Sequence, residues 1–263
     1  MKDLLIVIPL GVGGPGTPVL KYLKWCVESI KLQKTKYDYS LVFSCDTNIS
    51  DEIKDYLNST NSLIEWYEPH FYFKKGGIWK KIYDQWIKFE SKYLAFSHYD
   101  DVWSDNKIES QLKLLESTNS DICWSRVQTI NKDNNILGEM RTVETLDKNT
   151  LFGSPSYAFS HSSIVSRNIL KTGIVEHQHN WSAIYEELFF VYAHKLKGIK
   201  DHQSIFYHRV HSDSISNTFN DEQSESVVIQ RNATGYSLIE TLEDAKTINI
   251  TQIRNNINQN ILT

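Results

Sequence analysis

"LLIVIPLGVGGPG", Leu4 to Gly16, sets an unbroken apolar, β-branched run directly before a literal G-x-G-x-x-G at Gly11, Gly13 and Gly16. Such a run reads as a strand covered on both faces of a mostly parallel sheet. A glycine-rich loop at its carboxyl end lies where open α/β sheets bind ligands. The dinucleotide fingerprint asks for more: its third glycine already inside the next helix, and an acidic residue about 20 positions on to hold the ribose. Here Pro15 and Thr17 delay the helix, and the positions at that distance read "KTKY". The acidic strand end that does follow, Asp46, comes about ten residues too late. The glycines are therefore expected to let a loop approach a ligand, or to form a plain surface turn, and not to mark a dinucleotide-dependent oxidoreductase.

Outward from this stretch, strands and helices alternate. "TPVLKYLKWCVESIKLQK" spaces Leu20, Leu23, Val27 and Ile30 as one helical face, with Pro18 suited to a first turn. "YSLVFSCD", "SLIEWYE" and "KYLAFSHYDD" read as further strands, separated by a helix opened by Ser50 and by the helix "IWKKIYDQWIKF". This rhythm implies a mostly parallel central sheet flanked by helices and wound through right-handed crossovers. After "DNKIESQLKLLES" the pattern changes to "DICWSRVQTI", "NILGEMRTV" and "YAFSHSSIVS" as strands, then an amphipathic helix "IYEELFFVYAHKLKG" ended by Gly198, then a last strand "HQSIFYHRVH". The organisation expected is an α/β domain over residues 1–219 and a C-terminal helical extension over 220–263. The extension is expected to close over the domain, since it lacks the basic face of a membrane-surface helix.

Composition narrows the partners. A chain of 263 residues with 40% hydrophobic and 23% charged residues can bury a sizeable core. A net charge of -4 argues against nucleic acid, whose phosphates select a basic excess. Cys26, Cys45 and Cys123 are odd in number and sit in apolar surroundings, so they read as buried thiols and not as a disulfide frame or zinc knuckle. With no run of about 18 apolar residues, a cytoplasmic protein is expected, with at most peripheral contact at the inner face of the membrane.

The residues able to do chemistry gather at predicted strand and helix ends. Asp100 and Asp101 end a strand beside Asp46, and carboxylates on a rigid strand end can hold a hard divalent cation that also bridges nucleotide phosphates. Their plainer reading is a turn with a helix N-cap. Glu186 and Glu187 open a predicted helix, where the macrodipole favours negative charge. "YHRVHSDSIS" offers His208, Arg209, His211, Ser212 and Ser214 together, a set suited to a diphosphate and its metal.

Taken together these segments resemble the inverting glycosyltransferases of family 2, with the GT-A fold, over about residues 3 to 217 and in the family's order. "LLIVIPL" is similar to the opening strand that leads into the nucleotide loop, which places nucleotide contacts on Pro9, Leu10 and Gly11. The strand ending at Asp46 is similar to the one that carries the acidic uridine contact. "YLAFSHYDDVWSDNKIESQLKLLE" resembles the metal-site segment, "EELFFVYAHKLKG" the segment whose second acid is the catalytic base, and "YHRVHSDSIS" the Tyr-Arg-Val-His ending. The resemblance implies Glu187 as base, Asp101 and His211 as ligands of Mn²⁺ or Mg²⁺, and Asp46, Asp100, Arg209 and Ser214 as nucleotide contacts. It also implies a nucleotide-sugar donor, most often a UDP sugar, and a glycan or lipid-linked oligosaccharide acceptor in surface polysaccharide synthesis. Three departures stand out: "PLGVGG" has no Tyr-Asn, His98 stands where many members have the first Asp of Asp-x-Asp-Asp, and Glu187 replaces the commoner Asp. Two competing functions are a sugar nucleotidyltransferase, whose basic glycine-rich loop is missing from "GVGGPGTP", and a non-catalytic nucleotide-sugar-binding module, which would need no base.

Overall fold

The computed structural model describes residues 2–11, 19–67, 77–140, 142–145, 161–172 and 196–211. Strand β1 (Leu4–Leu10) is buried along its whole length, as its apolar run requires. It pairs in parallel with β2 (Tyr39–Asp46) on one side and β4 (Tyr93–Phe96) on the other. β3 (Leu63–Tyr67) extends the parallel set from β2. β1 continues through Pro9 to Leu10. The ladder to β4 stops at Val7 and Phe96, so the N–H that Pro9 lacks falls beyond the last bond on that side.

Beyond β4 the sheet is mixed. β8 (Ser163–Ser166) inserts antiparallel between β4 and β6 (Ile122–Ile130), and β9 (Gly198–Arg209) runs parallel to β6. β5 (Val102–Trp103) closes the far edge against β9, and β7 (Ile136–Met140) forms a hairpin with β6. The order is β3-β2-β1-β4-β8-β6-β9-β5 with β7 on β6, so β1 to β4, β6 and β9 share one direction. A mostly parallel α/β sheet is as expected. Gly198 is the first residue of β9, whereas the sequence had placed it at a helix end. The predicted helix before it and the C-terminal extension lie outside the described residues.

Helices α1 (Leu20–Lys31), α2 (Asp51–Ser59) and α4 (Lys107–Thr118) cover the sheet face that carries Leu4, Ile6, Ile8 and Leu10, and α3 (Gly77–Phe89) packs against β1. Ser50 caps α2 by accepting the Ile53 N–H, with Asp51 and Glu52 matching the dipole in the first turn. Each fully buried aliphatic side chain on the covered face contributes about 1.5–3 kcal/mol. Gln33, just beyond α1, ties two elements together: its Nε2 donates to the Ser104 carbonyl at 2.6 Å and its Oε1 accepts the Ile108 N–H of α4 at 2.9 Å. All three cysteines are free and buried, as their surroundings suggested.

One buried cation gives the fold a measurable pH dependence. Lys107 is fully buried at the start of α4, donating to Gln111 at 3.0 Å and lying 4.2 Å over the Trp103 ring. Burial pushes its ammonium down to about 7, against the upward pull of Cys123 and Asp201. The unfolded chain holds this proton up to about pH 10.4, so between the two values the unfolded state binds more protons and stability rises with pH. Lys107→Met removes that slope. Relative to wild type, the variant should be most stabilised near pH 7, by on the order of 1–4 kcal/mol, with the advantage shrinking toward about pH 10. Denaturant melts at several pH values check this, and a difference that stays flat would show that Lys107 keeps its proton in the fold.

Candidate active site

The site is assembled at the carboxyl edge of the parallel strands. Asp46 is the last residue of β2 and is almost wholly buried, its Oδ1 accepting the Asn48 N–H at 3.0 Å. Pro9 and Leu10 are buried within β1, and Gly11 follows at the edge, so what this strand end offers a ligand is main chain.

Asp100 and Asp101 are not strand residues, as the sequence suggested. β4 ends at Phe96, and the chain turns because the His98 carbonyl gathers three donors: Cys26 Sγ at 3.3 Å, Ser97 Oγ at 3.1 Å and the Asp101 N–H at 3.4 Å. Trp103 Nε1 donates to Ser97 Oγ at 3.1 Å and fixes the turn from the other side. Within this turn the two aspartates diverge. Asp100 Oδ2 lies 3.0 Å from His211 Nε2, with side chains 13% and 2% exposed. Asp101 is fully buried and points to β9, its Oδ1 accepting the Arg209 N–H at 3.0 Å and the His208 Nδ1 at 3.1 Å. Burial by itself would raise the Asp101 carboxyl, but the charge and hydrogen bond of His208 and the charges of His98 and His161 outweigh it and hold the group below the usual carboxylate range.

This arrangement revises two expectations. The side chain that stands beside His211 is that of Asp100, and not that of Asp101. Arg209 was expected to hold a diphosphate, yet its side chain is spent on the protein. Its Nε donates to the Asp100 carbonyl at 2.7 Å, its Nη1 to the Asn131 carbonyl at 2.7 Å, and its Nη2 to Asn134 Oδ1 at 2.6 Å. The guanidinium also lies 4.7 Å from the Tyr22 ring centroid and 5.0 Å from that of Trp25. Fully buried in this cage, Arg209 clamps the main chain of Asp100. Glu187 and Ser214 lie outside the described residues.

The residues present fit a divalent ion. Two ligands each about 2.1 Å from one octahedral ion stand about 3.0 Å apart. Asp100 Oδ2 and His211 Nε2 are set at that separation. A carboxylate beside an imidazole admits Mn²⁺ more readily than Mg²⁺, which favours oxygen alone. A second group, His98, Asp101 and His161, also brings potential ligand atoms together. Sequence reading missed His161 altogether, because only the antiparallel insertion of β8 carries its preceding turn to this edge.

Helices on a mostly parallel sheet, with an acidic turn at the carboxyl edge facing a histidine-bearing strand end, match the arrangement expected of the GT-A glycosyltransferases. The chain belongs to glycosyl transferase family 2, whose model matches residues 19–174. Among solved structures it is similar to residues 1–349 of S. aureus TarS in complex with UDP-GlcNAc, with a TM-score of 0.66 and 13% identity over 94% of this chain and 69% of that one. The TarS 1–349 complex with UDP gives a TM-score of 0.58 at 14% identity, over 95% of this chain and 73% of that one. TarS itself gives 0.57 at 14%, over 94% and 41%. At such identities the likeness is one of fold. A search among curated proteins finds no match. No helix among the described residues is long and apolar enough to cross a membrane.

Proposed function

We propose that the protein transfers a sugar from a nucleotide sugar, a UDP sugar, to a hydroxyl of a glycan or lipid-linked oligosaccharide, with inversion at the anomeric carbon. The setting proposed is surface polysaccharide synthesis on the cytoplasmic side of a membrane. The observation that carries the reading is the Asp100–His211 pair, held at ligand separation on the carboxyl edge of a family 2 domain. The UDP and UDP-GlcNAc complexes of TarS support the choice of nucleotide by analogy of fold.

In this reading Asp46 and the main chain at Pro9, Leu10 and Gly11 receive the uridine. Asp100 and His211 hold Mn²⁺ or Mg²⁺, and Ser214 contacts the diphosphate. A bound ion supplies electrostatic stabilisation of the leaving diphosphate. Glu187 takes the proton from the acceptor hydroxyl as that oxygen attacks opposite the diphosphate. Arg209 acts through Asp100, whose carbonyl it clamps.

UDP with Mn²⁺ should therefore stabilise the fold, by about 2.7 kcal/mol at a hundred times the dissociation constant. A thermal-shift panel of nucleoside diphosphates, each with and without Mn²⁺ or Mg²⁺, reads this directly. No shift with any diphosphate and metal would remove the donor site from this edge. Incubation with a panel of nucleotide sugars then reads the chemistry: sugar transfer or hydrolysis supports the proposal, whereas pyrophosphate formation or binding alone overturns it.

A further inference from the structure

We propose that Lys107 is a proton-operated latch: uncharged, it holds the start of α4 to the chain entering β8, and proton uptake opens that contact while the rest of the domain stays folded. The contact is continuous. Lys107 Nζ donates to Gln111 Oε1 at 3.0 Å, and Gln111 Nε2 donates to the Ser162 carbonyl at 2.9 Å, one residue before β8 begins. The hydroxyl of Ser125 in β6 gives the same carbonyl a longer bond, at 3.5 Å. Lys107, Gln111, Ser125 and Ser162 are all wholly buried, so each link is made out of reach of water.

The surroundings suit an amine better than an ammonium ion. An ammonium group carries three donors, and among the described residues Lys107 has one hydrogen-bond acceptor, Gln111, and the Trp103 ring of β5 at 4.2 Å. A buried charge so poorly compensated is costly. Lys107 is also the first residue of α4, where the aligned peptide dipoles disfavour a cation. β6 brings Cys123 toward it, but burial raises that thiol and keeps it neutral. β9 brings Asp201, whose two oxygens are taken: Oδ1 accepts the Gln203 N–H at 2.9 Å and Oδ2 the Ser204 hydroxyl at 2.5 Å. Burial outweighs the upward pulls of Cys123 and Asp201 and brings the ammonium down to about 7.

The direction of the effect follows from where the proton is held more tightly. Once the latch opens and water reaches Lys107, the amine regains the ordinary proton affinity of a lysine, near pH 10.4. From about pH 10 down to about pH 7 the open state therefore binds more protons than the closed one, and each unit fall in pH favours opening by about tenfold. Below about pH 7 both states hold the proton and the effect levels off. The latch bears on the carboxyl edge, because β8 runs antiparallel to β4 and so starts there. His161 stands next before Ser162, its ring 4.8 Å from that of Phe96 at the end of β4, so opening loosens this edge.

The test is amide hydrogen exchange of the full chain from about pH 7 to about pH 9, where the chemical step quickens about tenfold per unit. In the wild type, amides at the start of α4 and in β8 should exchange at a nearly constant rate, because the fall in opening offsets that rise. Amides of α2, which open without exposing Lys107, should quicken about tenfold per unit. Lys107→Met should make the α4 and β8 amides behave like those of α2. Gln111→Leu, which cuts the link to the Ser162 carbonyl, should do so for β8. The proposal is overturned if the wild-type β8 amides quicken as α2 does, or if Lys107→Met leaves their response to pH unchanged. Should Lys107→Met fail to fold, Gln111→Leu decides: β8 amides that keep a constant rate overturn the latch.

Discussion

Glu187→Gln should lower sugar transfer by about 10²–10⁴-fold, the usual contribution of a general base, while leaving UDP affinity near that of the wild type. The amide keeps the shape of the carboxylate and removes only its ability to accept the proton of the acceptor hydroxyl. A loss in turnover without a loss in donor binding marks an interaction made mainly in the transition state. Glu186→Gln should cost far less: adjacent residues of a helix, as the sequence reads here, are rotated by about 100° and do not share a face. Removing one charge from a helix start costs only about 0.3–1 kcal/mol. Transfer rates and UDP affinities of both variants check the assignment, and near-normal turnover in Glu187→Gln would move the base elsewhere.

The second large effect separates the neighbouring aspartates. Asp100→Ala should abolish the Mn²⁺-dependent part of UDP binding and leave the apo protein folded, since its side chain bonds His211 at the edge. Asp101→Ala should instead weaken the fold. It strips the buried Arg209 N–H and His208 of their shared acceptor, and stranding a buried donor costs about 1–3 kcal/mol. Melting curves of the two apo variants, followed by UDP and Mn²⁺ titration, distinguish them. An Asp100→Ala protein that keeps metal-dependent UDP binding would show the ion to be held elsewhere.

That contrast also shows how far the sequence can be read. β1, α1, β2, α2 and β3 were legible because local periodicity and an unbroken apolar run determine them. The edge position of Asp46 followed from the same pattern. Which of two adjacent aspartates faces His211 did not, because it depends on where β4 stops. The stop is set partly by Cys26 of α1, distant in the chain, which donates to the His98 carbonyl, and partly by Trp103 of β5 acting on Ser97. The guanidinium of Arg209 looked free for a phosphate for the same reason, since two of its acceptors, Asn131 and Asn134, lie in a hairpin far upstream. His161 is one histidine among nine until β8 is known to run antiparallel into the sheet.

The hairpin turn between β6 and β7 carries a constraint that its surface position conceals. Connecting turns ordinarily absorb insertions and exchanges of residue. This one cannot do so freely, because the Asn131 carbonyl and Asn134 Oδ1 both receive the guanidinium that clamps the Asp100 main chain. Asn134 makes its bond from a left-handed backbone, φ 67°, which asparagine tolerates better than most residues. A lengthened turn would slide the acceptors past Arg209 and be felt at the carboxyl edge. In the drift of sequences over time, the length of this turn and the residue at Asn134 should therefore vary slowly, exposed though they are.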